Sequence, residues 1–122
     1  MTTKGIFYVF AWVSDLKRSK RFYAETLGWK LGTDEKDVAG FSFGTSYLVI
    51  HEDNREAGAR RYLGGMHVGV QIEGVDDEHA RLARLGITVS DLRDQPWGER
   101  SFEFDDPDGY TWSYGQVMRE YK

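Results

Sequence analysis

The sequence predicts an α+β domain made of two βαβββ modules in one chain. Each half begins with an apolar stretch of strand length and continues with apolar residues at helical spacing that end at a glycine. Three further short stretches that are typical of strands follow in each half. A charged segment without periodicity separates the halves. This repeated order favours an internal duplication, with chance similarity between the halves of a generic α+β domain as the alternative.

The first module is predicted to open with a strand over residues 6–13, which are β-branched or aromatic at most positions. Ser14 and Asp15 then offer side-chain oxygens that can cap the first turn of a helix. Gly28 marks the end of that helix, because glycine tolerates positive φ. Three strands are expected over residues 29–33, 38–44 and 47–51. The apolar face of the helix consists of Leu16, Phe22, Tyr23 and Leu27.

The second module repeats this order, with an alternating strand over residues 66–73 and strands over 87–92, 100–105 and 110–117. We divide the single domain, residues 1–122, into module one over about 5–52, a linker over about 53–65 and module two over about 66–118. The stripe of the second helix consists of Val75, Ala80, Leu82, Ala83 and Leu85, and Gly86 ends it. Charged residues in and beside the linker are expected to be solvated, with a gating loop as the alternative: Glu52, Asp53, Glu56, Arg60 and Arg61.

The composition is that of an ordinary globular protein, with 40% hydrophobic and 30% charged residues in 122. No apolar run approaches the roughly 18 residues of a membrane helix, and no signal-peptide pattern opens the chain. The absence of cysteine excludes disulfides, thiolate metal sites and cysteine nucleophiles. These features predict a cytoplasmic protein that does not bind membranes.

The charge and the motifs exclude several other functions. A net charge of −4 argues against nucleic-acid binding, which normally requires a basic face. Gly64-Gly65 lacks the following Lys and Ser or Thr of a phosphate loop, and no serine lies in a nucleophile-elbow pattern. The three histidines show no zinc-ligand spacing, and His79 is expected on the exposed side of its helix. The 15% of aromatic residues supply core and, in a minority, stacking surfaces for planar ligands.

The most informative segment is Asp105 to Gln116, an acidic turn followed by an aromatic strand. In this turn Pro107 fixes φ, Asp108 caps locally and Gly109 permits positive φ. Three stretches in this order resemble the glyoxalase, bleomycin-resistance and extradiol-dioxygenase superfamily, whose members are also called vicinal oxygen chelate proteins. They are Val13-Ser14-Asp15-Leu16 with Leu27-Gly28-Trp29, His67-Val68-Gly69-Val70 with Leu85-Gly86, and Gln95 to Arg100 leading into the closing hairpin.

The resemblance implies two modules whose curved mixed sheets surround a cleft that a second subunit completes. A homodimer is therefore expected. The physical reason is that a small curved sheet leaves open edges and an apolar concave face, which a partner can cover.

The resemblance also implies where a metal would be held, on the first and last strands of each module. The matching positions are Tyr8, Val49, His67 and Ser113, and of these only His67 matches the ligands of the metalloenzymes. Because a divalent ion needs at least three good protein donors, we expect no metal and no other cofactor. His51 or Glu103 could replace a missing donor. A metal-dependent, glyoxalase-like lyase or isomerase that uses His67 with Glu103 or His51 is therefore the alternative function.

Alternation along the strands predicts which side chains face the cleft. Tyr8, Phe10 and Trp12 form an aromatic stripe there, while Phe7 and Val9 are expected in the core, as is Trp112. Trp97, in a Gly-flanked loop, is expected at the rim of the site. The predicted ligand-binding residues are Tyr8, Phe10, Trp12, Tyr47, Val49, His51, His67, Gln71, Trp97 and Ser113. Packing of the stripe against the dimer partner is the alternative.

The function that the resemblance implies is metal-independent binding, as in the branch that confers bleomycin resistance. The expected ligand is a planar or aromatic natural product or antibiotic, sequestered in a cleft at the dimer interface. A regulatory module whose cleft is filled by its own side chains is a third alternative.

Overall fold

The computed structural model describes residues 1–2, 4–57 and 67–119. The chain forms two compact units, Met1–Tyr62 and Leu63–Lys122. Each unit contains a four-stranded mixed sheet and one helical segment, so the predicted α+β class and the two modules are confirmed. Most of the predicted linker, residues 58–65, lies outside the described residues. Within the described part of the chain, no helix is long and apolar enough to cross a membrane.

Unit one contains four strands in the order β1-β4-β3-β2, where β1 and β4 are parallel and the other neighbours are antiparallel. The first strand of the unit therefore lies beside the last. Its helix α1 continues directly into a π-helical turn. The elements are β1 Val9–Val13, α1 Leu16–Arg21, the π turn Phe22–Thr26, β2 Lys30–Asp34, β3 Val38–Phe43 and β4 Ser46–Glu52.

The predicted cap and stop of α1 are both confirmed. The Asp15 side chain accepts a hydrogen bond from the backbone N–H of Arg18 at 3.1 Å, as an N-cap residue does. Gly28 ends the segment with φ +76°. Between them the Leu27 N–H donates to the Phe22 carbonyl at 2.9 Å, five residues back, which defines the π turn. Consecutive Phe22 and Tyr23 are both buried in this turn.

The core of unit one lies between the helical segment and one face of the sheet. Ala39 and Phe41 on β3 and Leu48 and Ile50 on β4 are fully buried there, and alternate residues face the other way. The prediction that Phe7 belongs to this core is wrong, since its side chain is 85% exposed. The reason is that β1 pairs with β4 from Val9 onward, so Phe7 lies before the sheet begins.

Unit two has the corresponding strand order β5-β8-β7-β6, again with its first and last strands parallel. The predicted strand over residues 87–92 is wrong, because this segment makes one isolated bridge, Val89 to Phe104. The cause is Ser90, whose hydroxyl accepts from the Glu103 N–H at 2.8 Å in place of a backbone carbonyl. The elements are β5 His67–Gln71, α2 Val75–Arg84, β6 Arg93–Asp94, β7 Glu99–Asp105 and β8 Thr111–Val117.

In unit two the predicted burial of Trp112 is confirmed, since this residue is only 3% exposed. Three other details of the prediction are wrong. Ala83 is exposed, and so is Leu85, because α2 ends at Arg84. His79 is half-buried rather than solvated: its ring meets Phe102 edge-on at 4.9 Å. Its Nε2 lies 2.8 Å from the Ser90 carbonyl oxygen and donates to it, since that oxygen can only accept. The other buried apolar residues in the described part of unit two are Val75, Leu82, Phe102, Phe104 and Tyr114.

Candidate functional site

Two residues of the predicted aromatic stripe, Phe10 and Trp12, lie on the open face of the sheet in unit one, the face opposite α1, whereas Tyr8 lies before β1 with its ring against Phe7. The parallel pairing of β1 and β4 places Phe10 beside Val49 and Trp12 beside His51. The rings of Phe10 and His51 both approach Trp12 edge-on, with centroids 5.0 and 5.3 Å away. Tyr8 and Phe10 remain 51% and 44% exposed. The face is therefore mostly apolar, with flat rings available at its surface.

His51 contributes a polar atom to this face. Its Nδ1 lies 2.8 Å from the Glu52 carbonyl oxygen, which can only accept, so Nδ1 carries a proton. In the neutral ring, Nε2 then keeps its lone pair as an acceptor. His51 therefore combines a ring contact to Trp12 with a nitrogen, Nε2, that can accept a hydrogen bond.

Tyr47 lies on the same face of β4 and supports the sheet. Its hydroxyl accepts from the Thr33 N–H at 2.9 Å, where the register of β2 against β3 is irregular. Its side chain lies so close to Gly32 and Gly40 that a Cβ atom at either position would come within 2.7 Å of a Tyr47 atom. Contact of Tyr47 with a ligand stays a prediction.

Sequence reasoning missed a cluster beside Trp12 that is formed by Asp53 and Arg55. The expectation that Asp53 is solvated is wrong, since its side chain is completely buried. Its carboxylate accepts two hydrogen bonds of 2.9 Å from the Arg55 guanidinium, whose central carbon lies 4.5 Å from the Trp12 ring centroid. The available signal was the Asp-x-Arg spacing, because Asp often accepts from the N–H two residues later. That bond is present at 3.1 Å.

The open face of unit two is polar instead of aromatic. Ser113 on β8 lies between Gly69 on β5 and Glu103 on β7. In the next row, Thr111 lies between His67 and Asp105, and its hydroxyl donates to the Asp105 carboxylate at 2.8 Å. Gln71 follows in the row of Gly115. Three predicted residues, His67, Gln71 and Ser113, thus share one face.

A polar depression of about 240 Å³ lies on unit two along the β6–β7 edge. The Gln95 side chain donates to the Ser101 hydroxyl at 3.1 Å in its wall. Trp97 lies in the turn that leads into β7, where Gly98 has φ +93° and its N–H donates to the Gln95 carbonyl at 3.0 Å. The depression is lined by Ser90, Asp91, Arg93, Gln95, Ser101, Phe102 and Glu103.

Two guanidinium groups in unit two have a raised pKa, and both lie away from the open face. The Arg81 pKa is raised chiefly by its hydrogen bond to Glu78. The Arg100 pKa is raised first by its hydrogen bond to Asp76 and then by the one to Asp94. Arginine is already protonated at neutral pH, so both contacts fix permanent positive charges beside α2.

The donors present do not fit a metal ion. Over residues 1–2, 4–57 and 67–119, no three His, Cys, Asp or Glu side chains are grouped so that they could hold one. Tyr8 and Val49 supply no carboxylate or imidazole on unit one. On unit two, Glu103 lies beside Ser113 but brings a single carboxylate to that row.

The family to which this chain belongs follows from its match to a protein-family model. The sequence model of the Glyoxalase/Bleomycin resistance protein/Dioxygenase superfamily matches residues 5–114. The chain belongs to this superfamily. Within it, a bleomycin resistance protein of Geobacillus stearothermophilus is 28% identical over 122 aligned residues, which cover 88% of this chain and 92% of the relative.

Solved structures of other proteins agree with the fold. TnmS3, an antibiotic binding protein from Streptomyces sp. CB03234, has a TM-score of 0.78 at 26% identity and covers 96% of this chain and 98% of its own. A lactoylglutathione lyase from Agrobacterium tumefaciens has a TM-score of 0.73 at 18% identity. The alignment covers 95% of this chain and 96% of the lyase. The second likeness concerns the fold alone.

Proposed function

We propose that this superfamily member is a metal-independent binding protein for planar aromatic small molecules, such as a natural product or an antibiotic. The observation that carries the proposal is the group of Phe10, Trp12, Val49 and His51 on the open face of unit one. Sites for planar ligands combine apolar and aromatic walls with a few polar anchors, and this group has both. A bleomycin resistance protein and an antibiotic binding protein among the relatives support the proposal.

We further propose that the ligand lies in a cleft completed by a second copy of the chain. Each sheet is open, with β2 and β6 at one edge of their sheets. Four large apolar or aromatic residues are exposed at or just before the start of β1: Ile6, Phe7, Tyr8 and Phe10. Exposed apolar surface of this kind favours association. An isologous dimer would bury the same patch on both copies. A homodimer with up to two ligands follows from this proposal.

Metal independence is supported by the donors that the four matching positions hold. Tyr8, Val49 and Ser113 replace imidazole or carboxylate groups, so His67 alone would face the ion as a good ligand. Sequestration requires no reactive group, because affinity comes from apolar burial and stacking.

The experiment is a ligand screen with two independent signals. A panel of planar DNA-damaging antibiotics and other aromatic metabolites is tested for quenching of tryptophan fluorescence and for a rise in Tm. Hits are titrated calorimetrically with wild type, Phe10→Ala and the control Leu85→Ala, which truncates an exposed residue after α2. We expect Phe10→Ala to weaken binding about tenfold and Leu85→Ala to leave it unchanged. The proposal is wrong if no member of the panel gives either signal.

A metal-dependent lyase or isomerase is the second candidate, and one observation favours it. Glu103 lies directly opposite Ser113 on the open face, so a carboxylate is present next to the position where related metalloenzymes have Glu. Elemental analysis of protein purified without chelator separates the candidates. Zinc, nickel, iron or manganese near one per chain, lost in Glu103→Gln, would support the enzyme and overturn metal-independent binding.

A further inference from the structure

The residues just after β4 form a structured contact with the aromatic face. The Asp53 backbone N–H donates to the Val13 carbonyl at 2.8 Å, which ties the end of β4 to the end of β1. Asp53 then turns the chain locally, because its Oδ1 accepts from the Arg55 N–H at 3.1 Å. Arg55 is thereby returned toward β1, with its guanidinium over the ring of Trp12.

The charges in this contact are well matched. The Asp53 side chain is completely buried, and an ionised carboxylate is stable there only when it is paired and hydrogen-bonded. Arg55 meets this need through Nε and Nη2, each 2.9 Å from one carboxylate oxygen. This two-point geometry fixes the plane of the guanidinium, which an ammonium group could not do.

The fixed guanidinium in turn restricts Trp12. Its central carbon lies 4.5 Å from the indole centroid, within the range of a cation–π contact. Phe10 and His51 meet the same indole edge-on. The indole is therefore contacted by the Arg55 guanidinium over its face and by two perpendicular rings, so rotation about its side-chain bonds would break several contacts together.

We propose that Asp53 and Arg55 are positioning residues that hold the indole of Trp12 in the orientation that accepts a ligand. This inference rests on the proposed function. A ring that is already ordered loses less conformational entropy on binding, so the clamp of Asp53 and Arg55 raises affinity by preorganisation. It also sets the ligand class: a rigid planar molecule gains most from a rigid indole, and a flexible chain gains least.

The first test needs no ligand. The protein is labelled with 5-fluorotryptophan, and the resonance of Trp12 is assigned by its loss in Trp12→Phe. We expect Arg55→Ala and Arg55→Lys to shift and broaden the Trp12 resonance, while the resonances of Trp29, Trp97 and Trp112 stay in place. Lys20→Ala is the control, because it removes another ion pair of unit one, to Asp34 at 2.8 Å. An unmoved Trp12 resonance in both Arg55 variants overturns the clamp.

The second test uses a planar hit from the antibiotic panel. Arg55→Ala should weaken its binding about tenfold, equivalent to ~1.4 kcal/mol, and Lys20→Ala should not. Asp53→Asn keeps an oxygen for the Arg55 N–H but loses the charge, so an intermediate loss is expected. In Trp12→Phe the further effect of Arg55→Ala should largely disappear. Unchanged affinity in Arg55→Ala overturns the ligand-positioning role.

The two proposals fail in different ways. If wild type binds no member of the panel, the proposed function is wrong, and the Trp12 resonance still decides whether the clamp exists. If wild type binds and both the resonance and the affinity are unaffected by Arg55→Ala, the binding function stands and the clamp is wrong.

Discussion

The hydroxyl of Tyr47 accepts a hydrogen bond from the backbone N–H of Thr33 at 2.9 Å, across the irregular register between β2 and β3. Tyr47→Phe removes this acceptor and leaves a partly buried N–H without its partner. We expect the free energy of unfolding to fall by about 1–2 kcal/mol in urea denaturation. An unchanged urea midpoint would show that water replaces the hydroxyl.

Gly40 is predicted to be intolerant of any side chain. A Cβ atom there would lie about 2.5 Å from atoms of the Tyr47 ring, which is itself held by Thr33. We expect Gly40→Ala to lower the free energy of unfolding by about 1–3 kcal/mol through overpacking.

Gly69→Ala is the matched control for Gly40→Ala. Gly69 also lies in a strand, but no atom of the described residues lies within 4 Å of its Cβ position. Its replacement should change stability by less than about 0.5 kcal/mol. Equal losses in the two variants would contradict the steric explanation, and so would a full loss for Gly40→Ala in a Tyr47→Ala background.

Ser19 offers a stabilising substitution. Its side chain is fully buried in α1, and its hydroxyl has no hydrogen-bond partner among the residues that the structure describes. Ser19→Ala removes an unsatisfied polar group and introduces a better helix former, so we expect a gain of about 1 kcal/mol. Thermal and urea unfolding measure it, with Ser14→Ala at the exposed start of the helix as a comparison. A loss of stability in Ser19→Ala would mean that the hydroxyl contributes favourable packing or binds water.

Asp106 is expected to determine the stability of the closing hairpin. Its carboxylate is buried and accepts from the N–H groups of Asp108 and Tyr110, each at 2.9 Å. Asp106→Ala removes the carboxylate that accepts from both N–H groups and should lower the free energy of unfolding by about 2–3 kcal/mol, whereas Asp106→Asn should retain most of the stability. Asp105→Ala, at an exposed neighbour, is the control. Similar losses for the two alanine variants would contradict this role.

These examples show which features the sequence could predict. Periodicity and glycine positions gave the order of elements, the cap at Asp15 and the burial of Trp112, because local preference and burial agree there. The strand over residues 87–92 was predicted wrongly, because the Ser90 hydroxyl takes the place of a backbone carbonyl. Periodicity carries no information about such a substitution.

The site was predictable to the extent that it follows strand alternation. Phe10, Trp12, Val49 and His51 share a face because pairing and pleat fix their directions. The contact of Arg55 with Trp12 was not predictable in this way, since it depends on a turn after β4. In the sequence, Asp53 and Arg55 look like other charged linker residues, and only burial distinguishes them.

The parallel pairing of the first and last strands in each unit has a consequence for how the chain folds. Val9 aligns with Leu48, and His67 aligns with Thr111. The first and last strands of either module therefore cannot pair until nearly all of that module has been synthesised. Such distant pairing makes the formation of each sheet a late step in the folding of its unit. The open face that carries Trp12 therefore forms only once β4 has paired with β1, because His51 on β4 lies beside Trp12 on β1.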